Sequence, residues 1–195
     1  MAELPFLERV ITATTRPPRP GERHGVDYYF LKEEEFLKRI REGFFLEWAK
    51  VYSYYYGSPK SEVERILSKG KDALLIIDVQ GAFQVKRRLP NAITIFLLPP
   101  SFEELKRRLQ KRGEKELHKR LDWAKRELPC AKSFDYVVVN DVLDRAVEEI
   151  KSIMIANRRR SDFVFSDENY KLLGFGEDIL EAVKGGECDA EKAGR

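Results

Sequence analysis

Arg16 and Arg19 stand three residues apart within Thr14-Thr15-Arg16-Pro17-Pro18-Arg19-Pro20-Gly21-Glu22. Two guanidinium groups on a proline-stiffened loop make a preorganised fork for a phosphate. Their planar donors match the oxyanion, and the prolines limit the entropy lost on closing. A second cluster, Phe45-Leu46-Glu47-Trp48-Ala49, sets one carboxylate among apolar and aromatic neighbours. Such a carboxylate can accept from a purine's N1–H and exocyclic amine together, an edge that guanine offers and adenine lacks. The third cluster, Tyr55-Tyr56-Gly57-Ser58, supplies hydroxyl donors for a phosphate with little conformational entropy to lose. Each cluster taken singly also has a plainer reading: a surface turn with solvated arginines, a solvated glutamate, an aromatic patch that packs.

The elements that must position these clusters fall into two textures. Runs over 73–78, 92–98 and 134–140 are nearly continuous in apolar residues, as in parallel strands covered on both faces. Ser101 followed by Glu104 reads as a capping box that opens a helix carrying Leu105 and Leu109. Asp141 can cap a long helix in which Leu143, Val147, Ile150 and Met154 recur at helical spacing. Alternating strands and helices predict an α/β domain with right-handed crossovers. The segment 22–58 differs, with many aromatics and a charged helix from Glu33 to Arg41 between short strand-like pieces. It reads as a small β-rich lobe inserted into a core made of 1–21 and 59–160. Residues 161–195 follow as an extension with a loose tail.

Composition narrows the function classes. Basic and acidic residues number 36 and 33, a net charge of +3, which gives no global electrostatic case for nucleic acid or a membrane surface. Any anion site must come from local placement of arginines. Cys130 and Cys188 are far apart, and His24 and His118 have no partner cluster, so neither a disulfide framework nor a structural metal site is expected. With no apolar run of membrane-spanning length and no signal pattern, the expected location is cytoplasmic.

In their order along the chain these segments carry a resemblance. The Thr14–Glu22 loop, Gly25–Phe30, Phe45–Val51, Tyr55–Ser58, Ile77–Ala82, Pro99–Leu109 and Val137–Asp141 together resemble the guanylate kinase family over residues 8 to about 158. The resemblance implies a phosphate-loop-kinase-like parallel core with an inserted GMP-binding lobe, and the reaction ATP + GMP to ADP + GDP with Mg²⁺. It implies that Arg16, Arg19, Tyr28 and Tyr56 hold the GMP phosphate, with Glu22 orienting the arginines. Thr12, Glu47 and Ser58 take the positions that recognise guanine, and Asp78 the acid facing the GMP site. Arg108, Arg112 and Arg120 match basic residues on the lid side, about 112–120, that neutralise the transferring phosphoryl group.

Departures from the family fall on the ATP side. No G-x-x-x-x-G-K-[ST] phosphate loop occurs in these 195 residues, and neither Gly70-Lys71 nor Gly174-Phe175-Gly176 supplies one. Where the family strand ends acid-x-Asp, this chain reads Ile76-Ile77-Asp78, and the lid segment looks short. Phosphoryl transfer depends on positioning and electrostatic stabilisation, so ATP and Mg²⁺ use is in doubt and catalysis is expected to be impaired. Either the loop has been lost or the sequence starts late. An alternative role is a pseudokinase that uses the GMP pocket for a guanine nucleotide or a phosphorylated peptide. The family's first strand lies between the strands near 73–79 and 92–98. Without it, the two edges are expected to close on each other, to be bridged by a second copy or another chain, or to accept the run Asp162–Phe165.

Overall fold

The structure, a computed structural model, describes residues 4–111, 113 and 116–164. Its strands and helices run β1 (Leu7–Arg9), β2 (Ala13–Thr14), β3 (Tyr29–Phe30), α1 (Glu33–Arg41), β4 (Phe45–Val51), β5 (Tyr54–Pro59), α2 (Lys60–Leu67) and β6 (Asp72–Leu74). They continue with α3 (Val79–Arg88), β7 (Ile95–Leu98), α4 (Phe102–Lys111), α5 (Leu117–Glu127), a 3₁₀ turn (Leu128–Ser133), β8 (Tyr136–Val139), α6 (Leu143–Asn157) and α7 (Ser161–Val164). Two compact units divide the chain, the first up to Val147 and the second from Glu148, which holds the rest of α6 and α7.

The β-rich lobe is a four-stranded sheet in the order β3-β2-β5-β4, with β2 parallel to β3 and antiparallel to β5. Ala13–Thr14, which precede residue 22, lie in the middle of it. Helix α1 forms where expected, with Glu33, Glu34 and Glu35 in its first turn and Lys38, Arg39 and Arg41 in its last, each complementing the helix dipole. Its Phe36 is wholly buried and stacks on Phe45 at 4.5 Å and on Tyr55 at 5.6 Å. Gly57 makes this possible. A Cβ there would sit 3.0 Å from Phe45 Cδ1 and 3.1 Å from Phe36 Cζ.

The parallel core is built from two separate strand pairs. β1 pairs with β6 and β7 pairs with β8, both parallel. Leu75 and Ile77 pack on a core of Val10, Leu46, Val63, Ile66 and Val85, while Ile76 between them is 69% exposed. The alternation of a strand thus continues past Leu74, but the ladder stops there. Likewise the runs expected over 92–98 and 134–140 are laddered only over Ile95–Leu98 and Tyr136–Val139. Nothing in the sequence announces β1, since three residues reading Leu-Glu-Arg carry no period.

Among the described residues β6 and β7 do not hydrogen-bond to each other, so the two edges have not closed directly. Leu97, Val137 and Val139 of the β7–β8 pair are exposed. The Asp162–Phe165 run does not supply the strand: Ser161–Val164 is helical, and Phe165 lies outside the described residues. Its Asp162 accepts from Phe163 N–H at 3.0 Å and pairs with Arg160.

Of the two expected caps, the one at Ser101 forms in modified form. Ser101 Oγ accepts from Glu104 N–H at 3.1 Å, but the Glu104 carboxylate turns to Arg107 and Arg108 instead of reaching back. Asp141 does not cap the helix as expected: its Oδ1 accepts from the adjacent Val142 N–H at 2.6 Å and its Oδ2 from Arg145 Nη1 at 3.0 Å. The stripe on α6 is helical as spaced, yet Leu143 is 68% exposed.

Candidate functional site

The β4–β5 hairpin carries the base-reading candidates. Its register slips between Phe45 and Glu47, a bulge at Leu46, after which Glu47 lies directly opposite Ser58. Bulges of this kind re-aim the next side chain. Glu47 is only 2% exposed and Ser58 fully buried, and Ser58 Oγ donates to Glu47 Oε1 at 2.6 Å. Burial raises the Glu47 carboxyl to about 7, with the nearby charge of Asp78 adding, while the Ser58 hydroxyl and Arg88 pull the other way. A carboxylate held out of water, its donors all from Ser58, is a strong acceptor for a ligand. Thr12 is buried on the neighbouring segment, its carbonyl accepting from Tyr29 N–H at 3.0 Å.

Asp78 closes the same region from the core. It caps α3, accepting from Gly81 N–H at 2.9 Å, and burial raises its carboxyl above the ordinary value.

The anion-binding candidates form a second group in the lobe. Arg16 is buried to 9% exposure and gripped by both Glu22 oxygens at 2.9 Å, with Nη1 on Pro17 O at 2.7 Å. Its guanidinium lies 5.4 Å from the centre of the Tyr28 ring and 5.9 Å from that of Phe30. Tyr28 and Tyr56 meet edge to face at 6.3 Å. Burial works against the Arg16 charge, but Glu22 and Tyr56 outweigh it and hold the group above its ordinary value. Glu22 also accepts from Arg19 N–H at 2.7 Å, and Arg16 with that amide keeps its carboxyl below the usual range. Glu22 therefore ties both arginine positions into one loop, while the Arg19 side chain stays exposed.

The lid-side candidates lie elsewhere. Arg108 spends its donors on Glu104 at 2.6 Å and on the carbonyls of Asn140 and Asp141 at 2.8 and 3.2 Å, fastening α4 to the end of β8. Arg120 of α5 lies 4.2 Å over the ring of Tyr52, which also meets Trp123 at 5.4 Å. Arg112 lies outside the described residues.

Sequence reasoning missed Phe30, Gln84, Arg88 and Glu127. Gln84 and Arg88 bond the backbone of β4, and Glu127 accepts from Trp123 Nε1–H at 2.7 Å. Burial, then the charge of Asp78, raises the Glu127 carboxyl against that bond. Spacing on α3 could have flagged the first pair, but nothing in a sequence says that a polar helix face meets a strand. Among the described residues no three His, Cys, Asp or Glu side chains gather as metal ligands. Ile76 offers no donor atom two residues before Asp78. The described side chains therefore do not fit a protein-held Mg²⁺.

A parallel α/β core carrying a separate β-rich lobe, with a buried acid and a buried arginine in that lobe, defines a protein of the mononucleotide-kinase class. The family model "Guanylate kinase" matches residues 4–157, and the chain belongs to that family. It is 55% identical over 154 residues to a guanylate kinase of Thermus thermophilus, covering 77% of this chain and 70% of the relative. It is 51% identical over 159 residues to that of Caldanaerobacter subterraneus, covering 80% and 77%. The crystal structure of guanylate kinase from Anaplasma phagocytophilum superposes with a TM-score of 0.72 at 35% identity, covering 80% of this chain and 78% of that one. The family phosphorylates GMP with ATP and generally uses Mg²⁺.

Proposed function

We propose that this chain binds GMP in its lobe. The observation that carries the reading is Glu47, an acid buried opposite Ser58 on a bulged strand with its carboxyl raised to about 7. Ionised, Glu47 accepts from guanine N1–H and the 2-amino group. Ser58 and Thr12 supply hydroxyls to the base, and Asp78 flanks the base-reading side. Arg16, held by Glu22, and Arg19 pair with the phosphate, with Tyr28 and Tyr56 donating to it. The Arg16–Glu22 pair is formed before the ligand arrives, so little reorganisation accompanies phosphate binding.

For the phosphoryl-transfer half, the 195 residues contain no phosphate loop. Each fixed donor of that kind contributes about 3 kcal/mol to transition-state stabilisation, so transfer by these residues alone is impaired. A coupled assay of ADP release with ATP, Mg²⁺ and GMP tests this: negligible turnover is expected, and turnover at ordinary kinase rates overturns it. A phosphopeptide would use the arginines and tyrosines but not the base reader. Glu47→Ala is therefore expected to abolish GMP binding while leaving any phosphoserine-peptide binding intact, and equal loss of both would count against the nucleotide reading.

A further inference from the structure

The β5 ladder and Ser58 hold Glu47 from one side only. Among the described residues strand β4 is the outer strand of the lobe sheet, so half of its N–H and C=O groups face no other strand there. The bulge at Leu46 breaks the ladder one residue before Glu47. A small shift of this outer strand at its bulge would carry the carboxylate off the base edge.

Helix α3 meets this edge with one face. Gln84 takes both backbone groups of Trp48, donating from Nε2 to the carbonyl at 2.7 Å and accepting from the N–H at 3.3 Å. Arg88 Nη1 donates to the carbonyl of Phe45 at 3.2 Å and to that of Leu46. These contacts bracket Glu47 on both sides along the strand. Gly81, three residues before Gln84, faces the side chain itself: a Cβ there would lie 2.5 Å from Glu47 Oε2 and 3.2 Å from its Cδ. Positions 81, 84 and 88 recur at i, i+3 and i+7, which a 3.6-residue period places on one helix face. The helix is anchored at its start by Asp78.

We infer that Gly81, Gln84 and Arg88 form a splint on α3 that sets the position of Glu47 and so determines specificity for guanine. The inference rests on the GMP reading. None of the three need touch the nucleotide. Gly81 provides the notch in which the carboxylate lies, Gln84 fixes the strand beyond it, and Arg88 fixes the bulge before it. The splint also joins the base reader to Asp78, so the two acids near the nucleotide move as one body.

The test compares Gly81→Ala and Gln84→Ala with the parent chain. A Cβ at 81 would press on Glu47 and Asp78, so a merely structural role for Gly81 predicts a less stable protein whose ligand preference is unchanged. Calorimetric titrations with GMP and with IMP, which has the same phosphate but no 2-amino group, read specificity. Titration of the Glu47 side-chain carboxyl by ¹³C NMR reads its placement without any ligand. Both variants are expected to narrow the GMP-to-IMP preference by at least about tenfold, because the displaced acid no longer meets the amine. Glu47 in both variants is expected to titrate closer to an ordinary carboxyl.

Folded variants with the parent preference and the parent Glu47 titration would overturn the splint. If Gly81→Ala does not fold, Gln84→Ala decides alone by the same readings. Should the parent chain itself fail to prefer GMP over IMP, the guanine reading is wrong. The splint is then judged by the Glu47 titration alone: a shift in the variants supports it and no shift overturns it.

Discussion

At the residue scale the site is a set of buried polar groups whose burial sets their chemistry. Glu47 titrates near 7 because burial, then Asp78, disfavours its charge. Binding needs the ionised form, so GMP affinity is expected to fall as pH drops from 8 to 6, approaching tenfold per unit below about 7. Glu47→Gln removes that dependence, which separates it from the second ionisation of the phosphate. The same shift bears on stability. The folded value lies above the unfolded one near 4.5, so the native state keeps a proton that the unfolded chain releases. Stability is then lost as pH rises from about 4.5 through about 7. Between pH 4 and 8 the parent should lose about 3 kcal/mol relative to Glu47→Gln in urea unfolding. Identical pH profiles for the two would contradict this assignment. The sequence made Arg16, Glu22, Glu47 and Ser58 legible as a group through order and resemblance. Their burial and the direct Glu47–Ser58 bond were not legible, because facing residues on two strands depend on a bulge.

At the scale of elements, the lobe depends on α1 packing into its sheet. Phe36 fills that contact completely, and its ring stacks on Phe45 of β4 and Tyr55 of β5. Phe36→Ala should destabilise the chain by about 3–5 kcal/mol and weaken GMP binding with it, since β4 and β5 carry Glu47, Tyr56 and Ser58. Denaturant midpoints with a calorimetric titration check both effects; lost stability with unaltered affinity would show that the sheet holds the site without α1. Helix α1 was readable from its charges. The pairing of Ala13–Thr14 with β3 and β5 was not, because two residues carry no periodic signal. Of the lid-side arginines, Arg108 is tied to the carbonyls after β8, a local contact that its sequence position did not announce.

At the scale of the molecule, the parallel strands stand as two pairs whose facing edges are unjoined among the described residues. A lone two-stranded pair has little independent stability, and β7–β8 leaves Leu97, Val137 and Val139 exposed. The lobe sheet has four strands and its own core. Amides of β7 and β8 should therefore exchange with solvent at least about tenfold faster than those of β4 and β5. Hydrogen-exchange mass spectrometry reads the difference, and equal protection would mean that the β7–β8 pair is braced by contacts beyond its own ladder. The α/β class was readable from the apolar runs. The ladder ends were not, because a strand ends where its neighbour ends, and that is settled by pairing, not by composition.

Calorimetric titration of the purified chain with GMP and with AMP, at pH 8 and moderate salt, reaches the central claim most directly. The two nucleotides share a phosphate for Arg16 and Arg19, and they differ at the base edge that faces Glu47. The account predicts GMP binding with AMP weaker by at least about 100-fold, since a buried acceptor left without its donors costs the full desolvation penalty. Equal affinity for the two, or no GMP binding at all, would contradict it.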